Sequence, residues 1–292
     1  PREVVREIKE AYKALGGGLV AVRSSATAED MPEASFAGQQ STFLNIEGED
    51  NVVSSVQACW ASLFEPRAIF YREEQGYDHL KVGIAVPVQK MIQSETAGVA
   101  FTVDEQKNDL TKIVIEAGYG LGESVVSGAV IPDLYVLDKA SLSILKRTIS
   151  KQEWKLSQNP AGKGSNQHAN IRVTVPPERQ QVQKLNDEDI VKLAQICKGI
   201  EEHYGHPQDI EWARENGAIY ILQCRPVTTL READKALTTG PQEEVKAKVL
   251  LTGTGASPGT GSGPVKVINA ASEKYRVEAG DILVTEMTTP DF

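Results

Sequence analysis

The sequence contains no run of about 18 consecutive apolar residues, which leaves no candidate for a membrane-spanning helix. It shows no signal peptide, since it opens PREVVREIKEAYKAL, a charged helical pattern without an apolar stretch. It also lacks an initiator Met, so the chain is expected to start inside a longer protein. Cysteine is scarce: Cys59, Cys197 and Cys224 are widely spaced in apolar or mixed surroundings. That spacing gives neither a disulfide framework nor a zinc knuckle, and predicts buried free thiols in a reducing cytoplasm. The four histidines, His79, His168, His203 and His206, have no metal-like or nucleophile-like neighbourhood and read as surface or capping residues. An excess of basic charge is missing too. The formal net charge of −9 argues against nucleic acid as the main partner, because a phosphate backbone calls for a basic surface. A small polyanion remains compatible if a few Arg or Lys side chains gather in one cleft.

What is present fits a globular chain of one large or two smaller domains: 292 residues, 40% hydrophobic and 24% charged. Residues 3–15 read as an amphipathic helix stopped by Gly16-Gly17-Gly18. A strand over 19–22 runs into the polar loop RSSATAEDMPEASFAGQQ and returns as a strand over 41–46. Asp50 is expected to cap a long helix with Val53, Val56, Cys59, Trp60 and Leu63 on one face, interrupted at Pro66 and resuming through Tyr71. Strands are predicted over 82–88, 97–102, 112–116 and 134–137, and residues 157–170 read as an exposed loop. Asn186-Asp187-Glu188-Asp189 starts a helix reaching about Tyr204, and a hairpin occupies 209–225. Residues 231–247 have the composition of a linker, after which KVLLTGTGASPGTGSGPVKVI and GDILVTEMTTPDF suggest short glycine-punctuated strands. Loose alternation of strands and helices makes α+β the expected fold class.

Three segments carry candidate chemistry. In VRSSATAEDMPEASFAGQQSTFLN, Arg23 ends a strand and supplies a forked, permanent charge, while small and hydroxylated residues let backbone amides approach phosphate. Taken on composition alone, this is also a polar surface loop. In EAGYGLGESVVSG, glycines at 118, 120 and 122 bend a strand into a helix whose first amides are candidates for an anion, although a tight turn alone also needs glycine. In DIEWARENGAIYILQCRPV, Asp209, Glu211, Gln223 and Arg225 share odd positions, while Ile210, Trp212, Tyr220 and Leu222 occupy even ones. Strand residues alternate faces, so both strands bury one face only if odd pairs with odd. That predicts a three-residue loop, Glu215-Asn216-Gly217, rather than a two-residue Asn-Gly turn, and brings Glu211, Gln223 and Arg225 to one surface. A carboxylate and an amide oxygen suit a hard cation such as Mg²⁺, and the arginine suits a phosphate beside it. An exposed hairpin with scattered charges is the competing reading.

Taken in order, VRSSATAED, ASFAGQQSTFLN, ASLFEPRAIFYR, GYGLGESVVSGAV and the DIEW…QCRP hairpin resemble the phosphoenolpyruvate synthases over nearly the whole chain. Rifampicin phosphotransferases share the ATP-binding motifs, and pyruvate phosphate dikinases are more distant. The resemblance implies an ATP-grasp nucleotide domain at 1–230 without its upstream lobe, a linker at 231–247, and the start of a phosphohistidine swivelling domain at 248–292. It implies ATP and Mg²⁺ as cofactors. The histidine would receive the β,γ-diphosphoryl unit of ATP, lose phosphate to water, and pass its phosphoryl group to pyruvate. Arg23 resembles the phosphate-binding arginine, and Gly38 and Thr42 fall in the phosphate-covering loop. Gln89 and Met91 lie where a strand meets adenine, Glu211 and Gln223 match the metal ligands, and Arg225 matches the second phosphate arginine. Arg23 and Arg225 are thereby the catalytic candidates.

The departures from the family pattern are equally specific. No histidine of the chain lies in a phosphoacceptor motif, and neither the lysine-bearing upstream lobe nor the pyruvate barrel is present. The expected partners are therefore ATP and the phosphohistidine and pyruvate domains of a longer chain, with neither membrane nor nucleic acid. A rifampicin phosphotransferase would place a large antibiotic-binding region before ASPGTGSG, which here follows a short linker. A non-catalytic nucleotide module would not need Arg23, Glu211, Gln223 and Arg225 together.

Overall fold

A computed structural model of the chain describes residues 1–27, 30–31, 34–35, 41–74, 76–162, 169–227, 260–268 and 271–285. The chain divides into two compact units, Pro1–Thr229 and Leu230–Phe292. The first is a mixed structure built on two sheets. Helix α1 (Arg2–Ala14) ends at three glycines, all at positive φ, and is followed by β1 (Val20–Arg23). Strand β2 (Thr42–Ile46) returns antiparallel to β1, with Arg23 opposite Thr42. Helices α2 (Glu49–Ser62) and α3 (Pro66–Glu74) precede β3 (Val88–Lys90), which pairs with the other edge of β1, giving a sheet of order β2-β1-β3. Tyr12, Val20, Val22, Ile46, Val52, Val56 and Cys59 fill the core between this sheet and helices α1 and α2.

The larger sheet contains β4 (Thr96–Phe101), β5 (Lys112–Tyr119), β6 (Asp133–Asp138), β7 (Ile144–Thr148), β10 (Gln208–Glu215) and β11 (Ala218–Pro226). Its order is β7-β6-β5-β4-β10-β11, antiparallel throughout. Helix α4 (Glu123–Val126) is a single short turn after β5, and a separate hairpin, β8 (Trp154–Gln158) with β9 (Asn170–Thr174), touches the end of β5 through Gly120 and Leu156. Alternate residues Ile113, Ile115, Tyr135, Leu137, Ile210 and Trp212 bury one sheet face against Ile190, Leu193 and Cys197 of α5 (Asp187–Tyr204). The start of α5 follows from its sequence: the Asn186 side chain accepts from the Asp189 amide at 2.8 Å, and Gly205 closes the helix at φ +77. In the second unit, β12 (Val265–Val267) and β13 (Ile282–Val284) pair in parallel, with a 3₁₀ turn at Ala271–Arg276. The linker expected at 231–247 and the segment TGTGASPG lie outside the described residues.

Several local expectations are corrected. Asp50 is not the cap of α2; Gly48 holds that position, and Asp50 sits in the first turn, paired with Lys9. Trp60 leaves the core face and is 38% exposed. The strand expected over 82–88 is split into Ile84–Ala85 and β3, because Pro87 has no amide to continue a ladder. Strand β8 and the start of β9 occupy part of the stretch read as loop, and β7 was not expected. The hairpin turn is also different. Asn216 and Gly217, at φ +50 and +79, form a two-residue turn with Glu215 opposite Ala218. Parity is restored farther along by a bulge: Glu211 faces Gln223 while Trp212 faces Ile221, leaving Leu222 as the extra residue. Beyond it the faces exchange. Ile219 and Ile221, rather than Tyr220 and Leu222, pack against the Ile210–Trp212 core.

Candidate functional site

A cavity of ≈ 470 Å³ opens between the two sheets, lined on one side by Ala21, Thr42 and Gln89 and on the other by Gly98, Glu211 and Ala213. Of the residues singled out from sequence, Arg23, Thr42, Gln89, Met91 and Glu211 line it. Arg23 stands at the end of β1, where pairing to Thr42 fixes the strand and aims the side chain across to the hairpin. Its Nη2 donates to Glu211 Oε2 at 2.7 Å and also to Gln223 Oε1. Residues 188 and 200 positions away thus meet one guanidinium. The bulge makes this possible, because it places Gln223 directly opposite Glu211 on the cavity side.

Arg225 is two residue pairs farther along on the same face, opposite Asp209, and its Nε donates to Asp209 Oδ2 at 2.8 Å. Burial pushes the Asp209 carboxyl above its ordinary range, against the opposing pull of Arg225, and the negative charge of Glu211 adds to the rise. Glu116, two strands away in the sheet, is raised by burial and then by Asp209. Glu123, in the cavity wall, is raised by burial. These three acids were not singled out from sequence. Asp209 had a usable signal, since it shares the odd face of the hairpin with Glu211 and Arg225.

Gln89 Nε2 donates to the Leu222 carbonyl at 3.3 Å. It therefore joins the edge strand of the small sheet to the bulge in the edge strand of the large one. Met91 donates its amide to the carbonyl of Leu19, just before β1. Lys90, between them, also lines the cavity, and strand alternation turns its amide and carbonyl to the free edge of β3. Gly38 lies outside the described residues, as does His168. None of His79, His203 and His206 lines the cavity.

In the glycine turn after β5 three amides are already taken. Gly120 N donates to Glu95 O, Leu121 N to Leu156 O and Ser124 N to Leu121 O. Gly120, at φ +84, is needed because a Cβ there would strike the Leu156 carbonyl. The turn is a structural joint that delivers Gly122 and Glu123 to the cavity wall.

A divalent cation fits the donor set. The Glu211 and Gln223 side-chain oxygens already converge on a single positively charged nitrogen. Among the described residues no group of three or more His, Cys, Asp or Glu side chains is arranged to hold a metal. Two protein oxygens with the remaining positions left to water and phosphate is the arrangement Mg²⁺ prefers. No helix among the described residues is long and apolar enough to cross a membrane.

A family profile described as "Pyruvate phosphate dikinase, AMP/ATP-binding domain" matches residues 1–245. The chain is 52% identical over 272 residues, 93% of its length, to a probable phosphoenolpyruvate synthase of Methanocaldococcus jannaschii, and covers 22% of that protein. It is 48% identical over 299 residues, its whole length, to the phosphoenolpyruvate synthase of Pyrococcus furiosus, covering 36% of it. Against the Pseudomonas aeruginosa phosphoenolpyruvate synthase the identity is 42% over 306 residues, with 100% of the chain and 38% of the relative covered.

Proposed function

The chain belongs to the pyruvate phosphate dikinase AMP/ATP-binding domain family, and we propose that it is the Mg²⁺·ATP-binding portion of a phosphoenolpyruvate synthase. The observation that carries this reading is the meeting of Arg23 with Glu211 and Gln223 at the mouth of a cavity between two sheets. That architecture suits an ATP-grasp site, in which the nucleotide is held between two sheets. In this reading residues 1–230 form the nucleotide domain, 231–247 a linker and 248–292 the beginning of a swivelling phosphohistidine domain. The curated relatives are much longer than the match, which covers 22% to 42% of those compared. That supports a longer protein whose other domains supply the phosphoacceptor histidine and the pyruvate site. The overall reaction would convert ATP, pyruvate and water to AMP, phosphoenolpyruvate and phosphate.

The geometry supports the following roles. The free edge at Lys90 offers one amide and one carbonyl to a nucleobase, with Met91 and Leu222 as apolar walls. Arg23 and Arg225 hold phosphate oxygens by forked hydrogen bonds, a recognition that a lysine ammonium does not reproduce. Glu211 and Gln223 hold Mg²⁺, which supplies charge neutralisation on the phosphates when bound. Thr42 adds a hydroxyl donor at the cavity wall, and Asp209 keeps Arg225 oriented. Positioning and electrostatics provide most of the rate in phosphoryl transfer, so these residues act without forming a covalent bond themselves. The free cysteines fit a reducing compartment such as the cytoplasm. Titration calorimetry of ATP with Mg²⁺ tests the reading. Glu211→Ala should weaken binding by about 10-fold or more and abolish AMP release by the full-length protein. Wild-type AMP release by Glu211→Ala would reject the assignment.

A further inference from the structure

The two oxygens assigned to the metal are already held by a cation of the protein. Arg23 Nη2 lies 2.7 Å from Glu211 Oε2 and donates through the same nitrogen to Gln223 Oε1. We propose that Arg23 is a built-in substitute for the divalent cation: it occupies the Glu211–Gln223 pair in the nucleotide-free site and leaves it only when phosphate arrives. This rests on the reading of Glu211 and Gln223 as metal ligands.

Simultaneous occupation is opposed by position and charge. A Mg²⁺ ion draws its oxygen ligands to about 2.0–2.1 Å, so to hold Glu211 Oε2 and Gln223 Oε1 together it must stand close to the place that Arg23 Nη2 takes between them. Both cations would also stand side by side in a site whose Arg23 and Glu211 side chains are only 19% and 25% exposed, where like charges are weakly screened. Free metal must therefore displace a charge-assisted hydrogen-bonded pair and leave a half-buried arginine without its counter-ion. A triphosphate removes that penalty, because it offers Arg23 a new anionic partner as the metal takes the old one. Arg225 does not compete for the pair in the same way, since its Nε is tied to Asp209. Metal and nucleotide thus favour each other's binding through one side chain, and by linkage the enhancement is equal in both directions. The site stays closed to metal without nucleotide and opens to the two together.

Mn²⁺ serves as the probe, followed by electron paramagnetic resonance of the free ion in titrations of the intact protein. In the wild type, a non-hydrolysable ATP analogue should tighten Mn²⁺ binding by about 10-fold or more. In Arg23→Met, Mn²⁺ alone should bind about 10-fold or more tighter than it binds the wild type, and the analogue should add much less. The double variant Arg23→Met/Glu211→Ala should lose that gain. Arg23→Lys, which keeps the charge without the fork, should lie between wild type and Arg23→Met, and serves if the methionine variant does not fold. A folded Arg23→Met or Arg23→Lys with wild-type affinity for Mn²⁺ alone overturns the proposal, while dependence of Mn²⁺·nucleotide binding on Glu211 leaves the metal assignment standing. If wild-type and Glu211→Ala proteins bind Mn²⁺ with the analogue equally well, the metal assignment fails and the proposal with it.

Discussion

Replacing Lys184 by Met probes the most deeply buried charge pair among the described residues. Lys184 and Asp133 are both fully buried, with Nζ 2.7 Å from Asp133 Oδ1. The carboxylate is saturated: it also accepts from Lys184 N at 2.9 Å, Ser150 N at 2.9 Å and the Tyr135 hydroxyl at 2.8 Å. The pair therefore fastens the segments around 150 and 184 to β6, an interior strand of the large sheet. Lys184→Met keeps much of the aliphatic volume but leaves a buried carboxylate with no counter-ion, which costs roughly 3–5 kcal/mol. For a unit of this size each kcal/mol lowers the melting temperature by about 2–4 °C, so a fall of roughly 6–20 °C is expected. Urea denaturation followed by circular dichroism measures it, with the midpoint lowered and the slope unchanged. The double variant Lys184→Met/Asp133→Asn should recover part of the loss, because the stranded charge is gone. A single-variant loss below about 1 kcal/mol would mean that water reaches the pair, and would refute the argument from burial.

Burial pushes the Cys59 thiol to about 11 and the Cys197 thiol to about 12, so at pH 8 both should resist alkylation until the protein is denatured, as read by mass spectrometry. Glu116 is raised by burial and by Asp209, so the folded state holds its proton more tightly than the unfolded chain does. The stability this contributes is present at acid pH and lost as pH rises through the folded value; Glu116→Gln should therefore raise the urea midpoint at pH 8 and leave it nearly unchanged at pH 4. Inserting one residue between Leu222 and Gln223 while the Asn216-Gly217 turn is kept places the new residue opposite Glu211 and sends Gln223 and Arg225 to the core face, with loss of ATP binding and of stability expected. Deleting Leu222 instead leaves Gln223 next after Ile221 and still opposite Glu211, so ATP binding should largely persist there, and unchanged ATP affinity in the insertion would contradict the register.

The shared face of Glu211, Gln223 and Arg225 was legible from the odd-face alternation of the hairpin, and Arg23 was marked by its place at a strand end before a polar loop, but the direct contact of Arg23 with Glu211 and Gln223 was not. Helix α5 was legible for the same kind of reason, with a capping Asn186, acids in the first turn and a closing Gly205. Strand β7 was not, because its residues Ile144–Thr148 are mostly exposed and carry no buried alternation. The glycine turn was ambiguous because glycine serves close approach of two backbones as readily as approach to an anion; at Gly120 the neighbour is the Leu156 carbonyl. The hairpin shows a deeper limit. Alternation requires one odd residue between the two faces, but a three-residue loop and a bulge satisfy that requirement equally well. The Asn216-Gly217 dipeptide, which favours a two-residue turn through its positive φ angles, pushes the odd residue inward to Leu222. There the bulge carbonyl meets Gln89 from the other sheet. Local turn chemistry thus decides where the strand is interrupted, and the interruption lies where the two sheet edges come together over the cavity.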